Sequence, residues 1–220
     1  MKIIIINGSP RKNGATATIL KDIHSNLITH SDAEVIFINL CDLELKFCSG
    51  CCSCYQTGKC IYKDDLEDLS KLIETADGLV LGSPTYASNV SAQMKLLIDR
   101  GHFVMEQLLS QKCALNVATY ENYGGKDTLN ILNQLILFSG AKLSGSILSK
   151  SSFNSNPLND PHLKQKVSKL SQNLYKDIQK GLCHPFQKIF QGIIFHFGIK
   201  PFVLKKGDKY RGVVNHWKHN

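Results

Sequence analysis

Four β-branched residues in succession, Ile3 to Ile6, run directly into Asn7-Gly8-Ser9-Pro10-Arg11-Lys12-Asn13-Gly14-Ala15-Thr16-Ala17-Thr18. An unbroken apolar run this short reads as a strand buried on both faces, and such strands belong to parallel sheets. The Gly/Ser/Pro/Asn cluster is a turn, and beyond it Ile19, Leu20, Ile23, Leu27 and Ile28 recur at helical spacing. The unit is therefore strand, loop, helix. The first N–H groups of a helix lack internal partners and sit at the positive end of its dipole, and Ser9, Thr16 and Thr18 add hydroxyls, so the geometry suits a phosphate. An ordinary βα turn with a good N-cap would present the same residues.

The rest of the chain repeats this alternation. Strands are expected at Val35–Leu40, Gly78–Leu81, Ala114–Thr119 and Leu143–Leu148, each followed by a helical pattern, the last of these carrying Leu163, Val167, Leu170, Leu174 and Ile178. Strands alternating with helices imply a parallel sheet covered on both faces, an α/β doubly wound fold of five strands. Ligands of such sheets bind beyond the carboxyl ends of the strands, near the point where strand order reverses. Three loops rich in turn residues lie at that edge, after strands one, three and four: Gly8 to Gly14, Gly82 to Asn89 and Tyr120 to Gly125. They could enclose one ligand. The chain is long enough for one such domain, here residues 1–180, with an appendage at 181–220. Its apolar start is too short for a signal peptide and no window approaches membrane-spanning length, so a soluble cytoplasmic protein is expected.

Five of the eight cysteines, Cys48, Cys51, Cys52, Cys54 and Cys60, crowd the loop 41–61 after the second strand. In a chain without an export signal this fits metal or redox chemistry better than a disulfide framework. The spacing Cys48-x2-Cys51-x2-Cys54-x5-Cys60 offers four thiolates, the usual complement of a cubane iron–sulfur cluster. Zinc and free or loosely paired thiols are alternative occupancies of the same spacing. Cys41, Cys113 and Cys183 are isolated, and Cys113 opens a strand, where a small buried hydrophobe is expected.

Gly8-Ser9-Pro10-Arg11-Lys12-Asn13-Gly14 with Thr16, then Gly82-Ser83-Pro84-Thr85-Tyr86, then Asn89 to Lys95 and Asp99-Arg100, resemble the flavodoxin-like NAD(P)H-dependent FMN reductase family over roughly residues 1–180. There is no Gly-Lys-Ser/Thr ending for a nucleoside triphosphatase and no GxGxxG for a dinucleotide fold. The resemblance implies a flavodoxin-like sheet in the order 2-1-3-4-5. It implies that Ser9, Arg11, Asn13, Ala15 and Thr16 surround the FMN phosphate, that Pro84, Thr85, Tyr86 and Asn89 border the isoalloxazine, and that Thr119, Tyr120, Gly124 and Gly125 form a third wall. It implies NAD(P)H as co-substrate and a quinone, a flavin or another small molecule as acceptor, with no side chain required as nucleophile or base. The cysteine spacing resembles the iron–sulfur flavoprotein branch of that family. On that resemblance Cys48, Cys51, Cys54 and Cys60 ligate a [4Fe–4S] cluster, and the protein could instead exchange electrons with a ferredoxin-type partner. A non-catalytic metal-binding or regulatory module built on the cysteine loop is the reading from a third class.

The net charge of +8 is uneven: from Cys183 onward seven basic residues face one acid, Asp208, so the tail carries +6 and the remainder +2. With a nearly neutral core no nucleic-acid partner is expected. Phe186, Ile189, Phe190, Ile193, Ile194 and Phe197 recur at three- and four-residue steps and predict an amphipathic helix over Pro185–Phe197. Its apolar face is expected to pack across its own domain or against a second copy, giving a homodimer or a dimer of dimers; a membrane-surface helix is the alternative. His184, His196, His216 and His219 show no ligand spacing with a carboxylate or cysteine and are assigned no metal.

Overall fold

The computed structural model describes residues 1–181 and 184–219; Cys183 and the side chain of His219 lie outside that description. The isoleucine run forms β1 (Lys2–Asn7), an interior strand of the sheet. It pairs in parallel with β2 (Glu34–Asn39) on one side and with β3 (Gly78–Tyr86) on the other. Beyond β3 lie β5 (Cys113–Tyr120) and β6 (Lys142–Lys150), both parallel, and a two-residue strand β4 (Asn89–Val90) folds back antiparallel on the end of β3. The parallel order β2-β1-β3-β5-β6 is the expected 2-1-3-4-5 once β4 is set aside.

Side chains alternate across a strand, so one isoleucine run serves two cores. Ile3 and Ile5 pack with Ile19, Leu20 and Ile23 of α1 (Ala15–Leu27) and with Val167 and Leu174 of α7 (Pro161–Lys180). Ile4 and Ile6 join the opposite layer, where α3 (Leu66–Glu74), α4 (Ala92–Gly101) and α6 (Gly125–Phe138) contribute Leu69, Met94, Leu97 and Leu132. All four isoleucines are at most 1% exposed. The doubly covered sheet follows from that burial.

Three elements differ from the sequence expectation. β3 runs on from Leu81 to Tyr86, because β5 supplies hydrogen-bonding partners as far as Pro84 opposite Thr119. Ala87 and Ser88, at φ +48° and +59°, then turn the chain into β4. A short helix, α2 (Ser53–Thr57), lies within the cysteine loop, closed by Gly58 in the left-handed region. A further short helix, α5 (Phe103–Glu106), follows α4.

The tail is helical throughout most of its length. α8 (Pro185–Ile193) continues through a π-turn segment at Ile194–Ile199 into α9 (Lys200–Lys205) and α10 (Arg211–His219). Ile199, Val203 and Val213 form a third small core against Tyr55 of α2 and Val104 and Met105 beside it. Tyr210 stacks on Tyr55 with centroids 4.8 Å apart, and Trp217 Nε1 donates to Met105 O at 3.0 Å. Part of the arm therefore does pack on its own domain, and it does so on the cysteine loop.

Candidate functional site

The chain leaves β1 for α1 and β2 on one side of the sheet and then crosses to β3 on the other, so strand order reverses between β1 and β3. A cavity of about 760 Å³ opens beyond the carboxyl ends of the strands there. Ser9, Arg11, Asn13, Ala15, Thr16, Pro84, Thr85, Tyr86, Thr119 and Tyr120 all line it. Asn89, Gly124 and Gly125 do not; they lie behind the wall. Asn89 turns its own side chain to Val90 N at 2.8 Å, and Gly124 and Gly125 are where the loop after β5 meets Ser88 and the Tyr120 ring.

The first loop holds its shape through local hydrogen bonds. Asn7 Oδ1 accepts from Ser9 N at 3.0 Å, and Ser9 Oγ accepts from Arg11 N at 3.1 Å. The N-cap of α1 is Gly14, which brings no side-chain oxygen to the open N–H groups of the first turn. That is the arrangement a bound anion completes. Thr16 Oγ1 and Thr119 Oγ1 are 2.7 Å apart and buried, tying the start of α1 to the end of β5. Lys12 is already paired with Asp42, which raises the Lys12 pKa and lowers that of Asp42. Arg11 is not committed to a carboxylate: its guanidinium lies 4.5 Å over the Phe153 ring, with Nη1 donating to Asn154 Oδ1 at 3.4 Å.

Phe153 and Asn154 belong to a fourth wall that was not expected from the sequence. Ser151 to Ser155, after β6, line the cavity beside Glu121 to Tyr123. Ser151 N donates to Tyr120 O at 2.8 Å and Phe153 N to Glu121 Oε1 at 2.9 Å, so the last two loops are laced together. The signal was present, since Ser151-Ser152-Phe153-Asn154-Ser155 has the same turn-forming composition as the other loops and comes after the last strand. Around the mouth stand Tyr86, about half exposed, and Tyr123 and Phe153, both largely exposed. On the wall, Thr85 Oγ1 is buried with no hydrogen-bond partner in the protein. A polar, phosphate-ready end, aromatic rings at the opening and an orphaned hydroxyl between them fit a ligand with a phosphate and a flat heteroaromatic ring.

The seven described cysteines are all free thiols, and Cys48, Cys51, Cys52, Cys54 and Cys60 share the loop next to this edge. No group of three or more His, Cys, Asp or Glu side chains that could hold a metal ion is gathered among the described residues. Burial, then the nearby Glu106 carboxylate, and more weakly Cys60 and Cys48, push the Cys54 thiol up to about 11. Cys51, fully exposed, is lowered chiefly by the backbone N–H of Ser53. Cys48, Cys51, Cys54 and Cys60, four free thiols on one loop, suit a cluster as a donor set. Arg100 Nη2 holds Cys60 Sγ at 3.2 Å.

These opposite shifts lead to an alkylation experiment on the metal-free protein. At pH 8 a two-unit rise above the ordinary thiol value removes about 100-fold of thiolate, and the greater nucleophilicity of the more basic thiolate returns about tenfold of it. Iodoacetamide is expected to label Cys51 at least about tenfold faster than Cys54, as read by peptide mass spectrometry. Equal rates would contradict the burial of Cys54.

Residues 1–154 match the model of a family described as NADPH-dependent FMN reductase. An iron–sulfur flavoprotein of Clostridioides difficile (strain 630) is 34% identical over 99% of this chain and 98% of its own length. An iron–sulfur flavoprotein of Methanocaldococcus jannaschii is 45% identical over 46% of this chain, which spans about half of that relative. Among solved structures, a flavone reductase superposes with a TM-score of 0.66 at 16% identity, covering 81% of this chain and 63% of the other. A flavodoxin from the domain Archaea gives 0.55 at 14% identity, covering 81% and 99%. At these identities the structural likenesses establish the fold.

Proposed function

Because the chain belongs to the NADPH-dependent FMN reductase family and is an oxidoreductase on that ground, we propose that it binds FMN in the cavity at the carboxyl edge of the sheet, takes reducing equivalents from NAD(P)H and passes them to a quinone, a flavin or another small acceptor. The observation that carries this reading is the convergence of four loops from β1, β3, β5 and β6 on one cavity, with the uncapped start of α1 at its floor. Bound FMN supplies the redox-active ring. The protein supplies position: the first-turn N–H groups of α1 and the Arg11 guanidinium hold the phosphate, and Thr85 Oγ1 finds in the ligand the partner it lacks in the protein. Tyr86 packs against the ring, and Tyr123 and Phe153 limit the approach of water and of the second substrate.

The direct test is anaerobic. Purified protein reconstituted with FMN should lose its flavin absorbance on addition of NADPH or NADH and regain it with a quinone. An oxidised flavin that nicotinamide leaves untouched, but reduced ferredoxin bleaches, would sink the reductase reading. A second experiment concerns Arg11, whose contacts to Phe153 and Asn154 are on the surface. Arg11→Ala is expected to weaken FMN binding by about 10- to 100-fold, the loss of one or two charge-assisted hydrogen bonds, with the melting temperature unchanged. Fluorescence titration of FMN would show it.

The full-length similarity to a protein named as an iron–sulfur flavoprotein favours a second reading, an electron carrier that exchanges electrons with a ferredoxin-type partner. On that reading Cys48, Cys51, Cys54 and Cys60 would hold a [4Fe–4S] cluster, which would supply one-electron chemistry. Iron and acid-labile sulfide analysis of anaerobically purified protein tests the cluster, with about four irons per chain expected, while the nicotinamide experiment above separates the carrier from the reductase.

A further inference from the structure

An amphipathic helix on a soluble domain normally turns its apolar stripe inward. α8 does the reverse. Its polar residues face the open edge of the sheet: Gln187 accepts from Leu143 N at 2.8 Å and donates to Leu143 O at 3.0 Å, and Gln191 Nε2 donates to Ala141 O at 2.5 Å. The two glutamines stand in for the strand that would have paired with β6, and they fix the helix about its axis. The face turned away from that edge then carries Phe186, Ile189, Ile193 and, one turn on, Phe197, with Phe190 at its border; the five are 46–86% exposed, Phe190 the least. The stripe is about 17 Å long from the helical rise alone. Phe190 alone reaches the domain, its ring 6.4 Å from that of Phe138 in α6; turning the rest of the stripe inward would break the three edge hydrogen bonds.

The charge of the same segment says what covers it. Exposed Lys200, Lys205 and Lys206 follow the stripe in α9 and just after it, and Asp208 is the single acid from residue 184 to residue 219. A second copy docked stripe to stripe would set these lysines against their own counterparts. An acidic protein would meet the charge but has no need of five large apolar side chains in a row. An anionic lipid surface meets both, taking the apolar face into the acyl boundary and the lysines at the headgroups. Among the described residues no helix is long and apolar enough to cross a membrane, which leaves contact in the plane of the surface.

We propose that α8 and the start of α9 form a lipid-surface docking element through which the protein sits on anionic bilayers. The test is co-sedimentation of the full-length protein with sucrose-loaded vesicles. Vesicles of phosphatidylglycerol and phosphatidylcholine in equal parts should pellet it, and binding should weaken by at least about tenfold on phosphatidylcholine alone or in about 0.5 M salt. Phe186→Ser/Phe197→Ser should weaken it by at least about tenfold with an unchanged circular dichroism spectrum, because both rings are already solvent-exposed in the folded chain. Lys200→Glu/Lys205→Glu should do the same. No pelleting with the mixed vesicles, or equal pelleting by the serine variant, overturns the proposal. So does an analytical ultracentrifugation result in which the wild-type protein is a dimer that the serine variant dissociates, since the stripe would then be a subunit interface. Tight, salt-sensitive binding to an acidic ferredoxin without vesicle binding would also overturn it.

Discussion

Replacing Arg100 with methionine is expected to destabilise the protein by about 3–5 kcal/mol, since it leaves the Asp64 carboxylate buried without its counter-charge. Arg100 and Asp64 form an ion pair whose side chains are 1% and 4% exposed. The guanidinium also donates to Lys46 O at 2.8 Å and to Cys60 Sγ at 3.2 Å, while Asp64 accepts from Lys46 N at 2.9 Å and Leu66 N at 3.2 Å. One pair therefore anchors both ends of the cysteine loop and the start of α3 to α4. In a protein of this size the loss corresponds to a melting temperature lower by roughly 10 °C, measurable by circular dichroism. The Arg100→Met/Asp64→Leu double variant should recover most of it, because the pair as a whole is worth far less than either half alone.

The pH dependence separates this account from simple loss of packing. Burial raises the Asp64 pKa, but the hydrogen bonds from Arg100, Lys46 and Leu66 outweigh it and hold the group below its ordinary 3.8. A depressed folded-state value means stability that is complete above about pH 4 and is lost as the pH falls further. In Arg100→Met burial prevails, the folded-state value rises, and acidification from pH 7 toward pH 4 relieves the buried charge. The gap between the two proteins should narrow over that interval. A gap that stays constant would mean that the charge of Asp64 is not what the substitution exposes.

How much of this was legible in the sequence depends on the range of the interactions. The β1 run was legible because burial on both faces demands continuous apolar residues, and the loops after β1, β3 and β5 were legible because turns need particular residue types. Gly82 to Tyr86 has turn composition yet is strand, since pairing with β5 overrides local preference. α2 spans five residues, too few to show a helical period. The Arg100–Asp64 pair joins residues 36 apart with no periodic signal between them. In the tail the apolar stripe could be read from spacing, but its direction could not, because the direction depends on two glutamines meeting the edge of a strand 44 to 50 residues away. The fourth wall at Ser151 to Ser155 could have been found from its place directly after the carboxyl end of the last strand, the position that the other three loops share.

Gly124→Ala is expected to lower FMN affinity by about 100-fold, the scale of effect that arises when a site is displaced by about 1 Å. Gly124 has φ +76°, in the region that costs an alanine about 1–2 kcal/mol. A Cβ there would stand 2.4 Å from Ser88 Oγ and 2.6 Å from Ser88 Cα. The hydroxyl can rotate away; the backbone cannot, because Ser88 and Ala87 are themselves held at positive φ in the two-residue turn between β3 and β4. The loops after β3 and β5 must part, which carries Tyr86 away from Tyr120 across the cavity and shifts the first turn of α6. Global stability should fall by only about 1–2 kcal/mol, since the hydrophobic layers on either side of the sheet are untouched. Adding Ser88→Gly removes Oγ and Cβ, relaxes the turn and should return about tenfold of the affinity, leaving the contact with Cα unrelieved. Wild-type affinity in Gly124→Ala would mean that the contact between these loops does not set the width of the flavin site, and a loss that Ser88→Gly fails to reduce would place the effect in the backbone of Gly124 alone.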